Sequence, residues 1–120
     1  MSENTLNDFI AMRDYLRDFA EQREWTQFHS PKNLAMALAV EAAELLEHFQ
    51  WVTEAESNTL EPERLAAVAD EIADVQLYLI RLADRLKLDI PQAVADKTRK
   101  NEAKYPADKV RGSSRKYTEY

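Results

Sequence analysis

No cysteine occurs anywhere in this sequence, which removes disulfides, thiolate zinc sites, iron–sulfur clusters and a cysteine nucleophile together. A reducing compartment, the cytoplasm, is the expected setting. Glycine occurs once and proline four times, too few for a succession of tight hairpins or a glycine-rich phosphate loop, so Rossmann and P-loop architectures lose their support. The stretch Met1-Ser2-Glu3-Asn4-Thr5 has neither the basic start nor the apolar run of a signal peptide. The longest apolar run, Leu34 to Val40, is far shorter than the ~20 residues of a membrane-spanning helix. No membrane partner is expected.

What is present is 120 residues, 45% hydrophobic and 32% charged, the size and make-up of one globular domain. A single domain over residues 1–120 is expected, with a basic tail from about residue 106. The abundance of Ala, Leu, Glu, Arg and Lys favours helix almost throughout. A net charge of −6 argues against a stable nucleic-acid partner. That sum hides a division: residues 1–96 carry 8 Lys/Arg against 19 Asp/Glu, whereas residues 97–120 carry 8 against 3. An acidic body thus ends in a basic segment, either solvated or poised to clamp an anion.

The periodicity predicts an all-α fold, a bundle of about four helices. Thr5 to Asp8 resembles a capping box, and Phe9, Met12, Leu16 and Phe19 recur at helical spacing, so the first helix is predicted from about Leu6 to Arg23. The segment from Trp25 to Ser30 breaks the period. Ser30-Pro31 then reads as an N-cap and first-turn pair, opening a second helix to about Val52. Residues 53–61 are polar and read as a loop, and Pro62 opens a third helix. Its residues Leu65, Val68, Ile72, Val75, Leu79, Leu82 and Leu86 alternate spacings of three and four, the seam of a helix packed on near-parallel neighbours. Asp89-Ile90-Pro91 opens a fourth, ending by Tyr105-Pro106. Gly112 marks a turn.

Carboxylates stand where apolar residues belong. The second helix's seam runs Leu34, Leu38, Glu41, Leu45, His48, Val52, and an unpaired carboxylate on such a line costs several kcal/mol, of the order set by desolvation. Glu44 lies about 60° around the helix from Glu41, so the two can share one ligand, while Glu47 points toward the flank. The third helix repeats the device in the line Ala67, Glu71, Asp74, Tyr78. If the two helices face each other, four carboxylates meet with no histidine among them, the oxygen environment of Mg²⁺, with Mn²⁺ as substitute. A di-iron bundle would want Glu-x-x-His, and neither His29 nor His48 has Glu three residues before it.

Each acidic pair has an aromatic beyond it, Trp51 after Glu44 and Tyr78 after Asp74, suited either to core packing or to stacking a flat heterocycle. Trp25, Phe28 and His29 are further candidates for the same pocket, whereas His48 reads as a hydrogen-bonded core histidine. Lys97, Asn101 and Lys104 share one face of the fourth helix, and with Tyr105-Pro106, Lys109, Arg111, Arg115 and Lys116 they offer cations to phosphate oxygens. A polyphosphate ligand would account for both charge extremes.

The runs Trp25-Thr26-Gln27-Phe28-His29-Ser30-Pro31-Lys32-Asn33-Leu34, Val40 to Trp51, Asp70 to Val75 and Lys97 to Pro106 together resemble the MazG-like nucleotide pyrophosphohydrolases, with the dCTP pyrophosphatase branch nearest. The resemblance covers most of the chain. It implies an all-α homodimer or homotetramer that uses Mg²⁺ to split nucleoside triphosphates between the α and β phosphates, a housecleaning of the nucleotide pool. By motif position it implies that Glu41, Glu44, Glu71 and Asp74 are the metal ligands and catalytic carboxylates. It likewise implies that Trp25, Trp51 and Tyr78 shape the base and sugar pocket and that Lys97 and Asn101 contact the nucleotide, with His29 and Tyr105 in the substrate-binding set. Lys104 stands where the family often has Arg, keeping the charge without the planar fork. Val40-Glu41 replaces the adjacent glutamates of many relatives, which leaves the general base open. The preferred base stays open too, between dCTP, dUTP and a damaged or modified pyrimidine. From outside this class, a helical interaction module and a non-hydrolysing nucleotide sensor share the same acidic helices.

Overall fold

The computed structural model describes residues 6–114 and 118. Thr5, at the head of the expected first cap, and the tail cations Arg115 and Lys116 lie outside the described residues. Among the described residues every regular element is helical: α1 (Phe9–Gln22), α2 (Pro31–Glu47), α3 (Glu54–Ser57), α4 (Pro62–Arg85), α5 (Ile90–Lys104) and α6 (Ala107–Val110), with a 3₁₀ turn at Thr26–Phe28. The all-α expectation holds. No helix among the described residues is long and apolar enough to cross a membrane.

Boundaries follow the capping chemistry. Asp8, rather than Thr5, caps α1 by accepting from the Ala11 N–H at 2.8 Å. Ser30 Oγ accepts from the Asn33 N–H, with Pro31 in the first turn, as the sequence predicts. α2 stops at Glu47 rather than Val52, because Phe49 and Gln50 turn back to the Leu46 carbonyl and Arg64 donates to the His48 carbonyl at 2.6 Å. The stretch expected to be loop contains α3, a one-turn helix closed by a reciprocal capping box between Thr53 and Glu56.

A chain with a single glycine still ends its helices sharply. Glu24 (φ 55°) and Lys87 (φ 59°) take the left-handed position past α1 and α4. After α1, the Trp25 N–H donates to the Ala20 carbonyl and the Glu24 N–H to that of Glu21; after α4, Leu88 donates to Ala83 and Lys87 to Asp84. Both are paired closures of the last turn. The first folds Trp25 back over α1, where its ring meets Phe19 edge-on at 5.8 Å between centroids.

The chain divides into two compact units, one ending at Leu88 and one beginning at Asp89. In the first, α2 and α4 pack along each other and α1 packs on α4. The buried apolar residues are Ala20, Leu34, Val68, Ile80 and Ala83, with Leu34 and Ile80 the largest. Sealing each of those two side chains from water contributes ~1.5–3 kcal/mol. Along α4 the expected seam is split. Val68 is buried and Val75 and Leu82 are half-buried, while Leu65 (56%), Ile72 (54%), Leu79 (40%) and Leu86 (48%) are exposed, and these four recur every seven residues. Toward α2 this helix turns the line Ala67, Glu71, Asp74, Tyr78, half-buried throughout.

In the second unit Asp89 caps α5 by accepting from the Gln92 N–H, and Asp96 takes hydrogen bonds from Gln92 and Arg99. The helix ends at Tyr105, whose N–H donates to the Asn101 carbonyl, and Pro106 starts α6. Gly112 (φ 75°) takes the turn expected of it.

Candidate functional site

α2, opened by the cap at Ser30, carries Glu41 and Glu44 on the side that packs on α4, which offers Glu71. One carboxylate oxygen from each of Glu41, Glu44 and Glu71 lies within 4.8 Å of the others. All three side chains are half-buried, and Glu41 Oε2 and Glu71 Oε2 are sealed from solvent with no hydrogen-bond partner among the described residues. Native proteins rarely leave such atoms unsatisfied.

The electrostatics carry the same message. The Glu71 carboxylate beside it, then burial and the charge of Asp74, hold the Glu41 carboxyl above the usual glutamate range. Glu44 is raised by its contact with Glu41, by that group's charge and by burial. Three carboxylates in one place repel, and proton sharing relieves them only in part. A cation would relieve all three. The donor set is oxygen alone, without histidine or thiolate, and it fits Mg²⁺ or Mn²⁺ on chemistry. Asp74, one turn beyond Glu71, stands outside this triad but close enough for its charge to act on Glu41.

Asp74 also lines a pocket of about 160 Å³ in the first unit. Its apolar walls come from Leu16, Phe19 and Ala20 of α1, Leu34 of α2, Leu77 of α4, and Trp25. His29, Tyr78 and Arg81 are the other polar side chains that reach it. Whole-ligand pockets run to ~300–1,000 Å³, so this one has room for a flat ring rather than an entire nucleotide.

The structure therefore brings Trp25, His29, Asp74 and Tyr78 to one pocket and Glu41, Glu44 and Glu71 to one cluster beside it. Trp51 is elsewhere: it is 88% exposed on the turn after α2 and does not line the pocket. Phe28 is 60% exposed and also absent from the lining. Lys97, Asn101 and Lys104 keep their common face on α5, with Tyr105 at its C-terminus, all in the second unit and all exposed. His48 is half-buried at the end of α2.

Sequence reading missed a cluster at the far end of the pocket. Arg81 is 5% exposed. Its Nη1 donates to Asp84 at 3.1 Å, its Nε to His29 Nδ1 at 3.2 Å and its Nη2 to Thr26 Oγ1 at 3.4 Å. Asp84 also accepts from Arg17 at 2.6 and 3.1 Å, and that contact holds its carboxyl below the usual aspartate range. Burial, then the charges of Arg81 and Arg85, hold the His29 imidazole below its usual value. A signal was there to follow: the line 67, 71, 74, 78 continues with the same alternation to 81.

Residues 36–120 match the sequence model of the MazG-like family. The chain is 45% identical over 119 residues to dCTP pyrophosphatase 1 of Homo sapiens, covering 98% of this chain and 68% of that protein. To dCTP pyrophosphatase 1 of Rattus norvegicus it is 43% identical over the same extent. Among solved structures, a pyrophosphatase from Archaeoglobus fulgidus DSM 4304 superposes with a TM-score of 0.74 at 45% identity, covering 78% of this chain and 87% of that one.

Proposed function

The chain belongs to the MazG-like family and is a nucleotide pyrophosphohydrolase, and we propose that its substrate is dCTP or a modified pyrimidine deoxynucleoside triphosphate. The products are the nucleoside monophosphate and pyrophosphate, which makes the reaction a housecleaning of the nucleotide pool in the cytoplasm. The observation that supports this most is the pair of sealed, unpartnered oxygens on Glu41 and Glu71 beside a ring-sized pocket. A site that wants a cation adjoins a site that accepts a base.

Glu41, Glu44 and Glu71 would hold the divalent metal, Mg²⁺ or Mn²⁺, with Asp74, which also lines the pocket, as the fourth carboxylate of the set. When bound, the ion supplies charge neutralisation and polarisation of phosphoryl oxygens. Trp25 and Tyr78 flank the base, and the apolar walls exclude water from it. Water adds at the α or β phosphorus, the bridging P–O bond breaks, and a carboxylate of the acidic set accepts the water's proton. On α5, Lys97, Asn101, Lys104 and Tyr105 are nucleotide contacts, the role their motif implies. The chain acts as a homo-oligomer, dimer or tetramer, because Leu65, Ile72, Leu79 and Leu86 leave an apolar line exposed along α4 that a second copy can bury.

Phosphorus NMR of the purified protein with dCTP and Mg²⁺, beside an EDTA control, tests the reaction. Metal-dependent appearance of pyrophosphate and dCMP is expected. Orthophosphate with dCDP, or no product from any pyrimidine triphosphate, would refute it. Light scattering after size exclusion tests the assembly, and a single-chain mass of 13.9 kDa would refute that part.

A further inference from the structure

The least expected group at the pocket is Arg81, a cation on the wall of an otherwise mostly apolar cavity and almost fully buried. Arginine is seldom sealed away unless it is paired, and here the pairing is incomplete. Asp84 is its one carboxylate partner among the described residues, and Asp84 is shared with Arg17, which also meets Asp14 at 4.0 Å. His29 adds no negative charge, since its Nδ1 accepts from Arg81. Arg81 thus has no counter-charge to itself.

The hydrogen-bond directions decide what that end of the cavity can recognise. A guanidinium carries five N–H groups and no acceptor, and three of Arg81's nitrogens each spend one on Asp84, His29 and Thr26, leaving two N–H groups. A neutral imidazole that accepts at Nδ1 carries its proton at Nε2, so His29 is a donor on its other side. Arg81 and His29, the polar lining side chains that their hydrogen bonds fix at this end, therefore both present donors. The other end belongs to Asp74 and, beyond it, the glutamates. Asp74 and Arg81 stand seven residues apart on α4, about 10.5 Å at 1.5 Å per residue, which is of the order of a nucleoside's length.

We propose that Arg81, steadied by Asp84 and flanked by His29, reads the Watson–Crick acceptor edge of the substrate's base and makes the enzyme prefer cytosine to uracil. Cytosine offers two adjacent acceptors, O2 and N3, to this donor pair. Uracil and thymine carry a proton on N3, which would face a donor and leave a buried polar group unmatched. This assignment rests on the nucleotide-hydrolase reading above and deepens it.

The test measures kcat/KM for dCTP and dUTP with the full-length wild type, Arg81→Lys and Arg81→Gln. The wild type is expected to favour dCTP. Both variants are expected to lower the dCTP-to-dUTP ratio about tenfold to a hundredfold, the span of a charge-assisted hydrogen bond, mainly through KM for dCTP. Lysine keeps the charge beside Asp84 and loses the planar fork, so it reports on recognition even if Arg81→Gln fails to fold. A purely structural role would lower both substrates alike and leave the ratio where it was. A wild type indifferent between the two bases, or a ratio unmoved in Arg81→Lys, overturns the assignment while the hydrolase reading stands. A wild type that cleaves neither triphosphate overturns the hydrolase reading, and this one with it.

Discussion

Glu71 and Asp84 are carboxylates on the same helix, and their surroundings treat them in opposite ways. Glu71 meets Glu41 and Glu44, with a sealed oxygen that nothing among the described residues satisfies. Asp84 meets Arg17 and Arg81 and is hydrogen-bonded by both. The first cluster has an excess of negative charge and the second keeps unspent N–H donors, so each lacks a partner from outside. Between them lies an apolar pocket. A ligand with a metal-chelating polyphosphate at one end and an acceptor-rich ring at the other answers both deficits.

The comparison breaks most visibly at the acidic end. Glu44→Ala or Glu71→Ala is expected to lower kcat on dCTP by at least ~10²–10³, the scale on which losing a preorganised charge-stabilising group costs catalysis, with helicity by circular dichroism unchanged. Wild-type turnover in both variants would remove these residues from the site. At the arginine end the expected loss is in stability. Asp84→Asn leaves Arg81 buried without its counter-charge and should cost ~2–4 kcal/mol by urea unfolding, whereas metal-induced stabilisation should persist.

Metal titration separates the ends further. Added Mg²⁺ should raise the Tm of the wild type and leave that of Glu41→Gln unmoved, and the same substitution should raise the Tm of the metal-free protein by removing one of the repelling charges. An equal response to Mg²⁺ in both proteins would contradict the assignment.

The smallest effect is in the pH dependence of the metal-free protein, and its signs oppose. Glu41 and Glu44 hold their protons more tightly folded than unfolded. Their contribution to stability therefore falls as pH rises from the usual glutamate range through their raised native values. Asp84 has a lowered native value, so its stabilisation is full above the usual aspartate range and is lost as pH falls through that native value. His29 is also lowered, and folded stability declines as pH drops below the usual imidazole value. Thermal melts across acidic pH in EDTA should lose the first limb in Glu41→Gln and weaken the last in His29→Gln. Saturating Mg²⁺ should flatten the first alone.

Much of this was legible in the chain. Ser30-Pro31, Pro62 and Asp89 open three helices where they are predicted, because capping and proline geometry act within a few residues and need no tertiary partner. Misplaced boundaries fall where distant or mutual contacts decide, as where Arg64 closes the end of α2. The glutamates stood out because a carboxylate on an apolar seam breaks the pattern. Arg81 did not, since a lone arginine on a long charged helix looks solvated until Asp84, His29 and Arg17 are seen to converge on one cluster. Trp51 shows the converse: helical spacing aligned it with Glu44, but α2 ends at Glu47 and the alignment ends with it.

By itself, then, the sequence determined that the chain is helical, where most helices start, and that each of two helices carries an acidic pair. These are consequences of local propensity, capping and period, which operate within one or two turns. Only the tertiary structure decided which flank of α4 turns toward α2, which carboxylates share one cluster and that Arg81 is buried. Those choices are settled by packing between residues far apart in the chain, and no periodicity along a single helix records them.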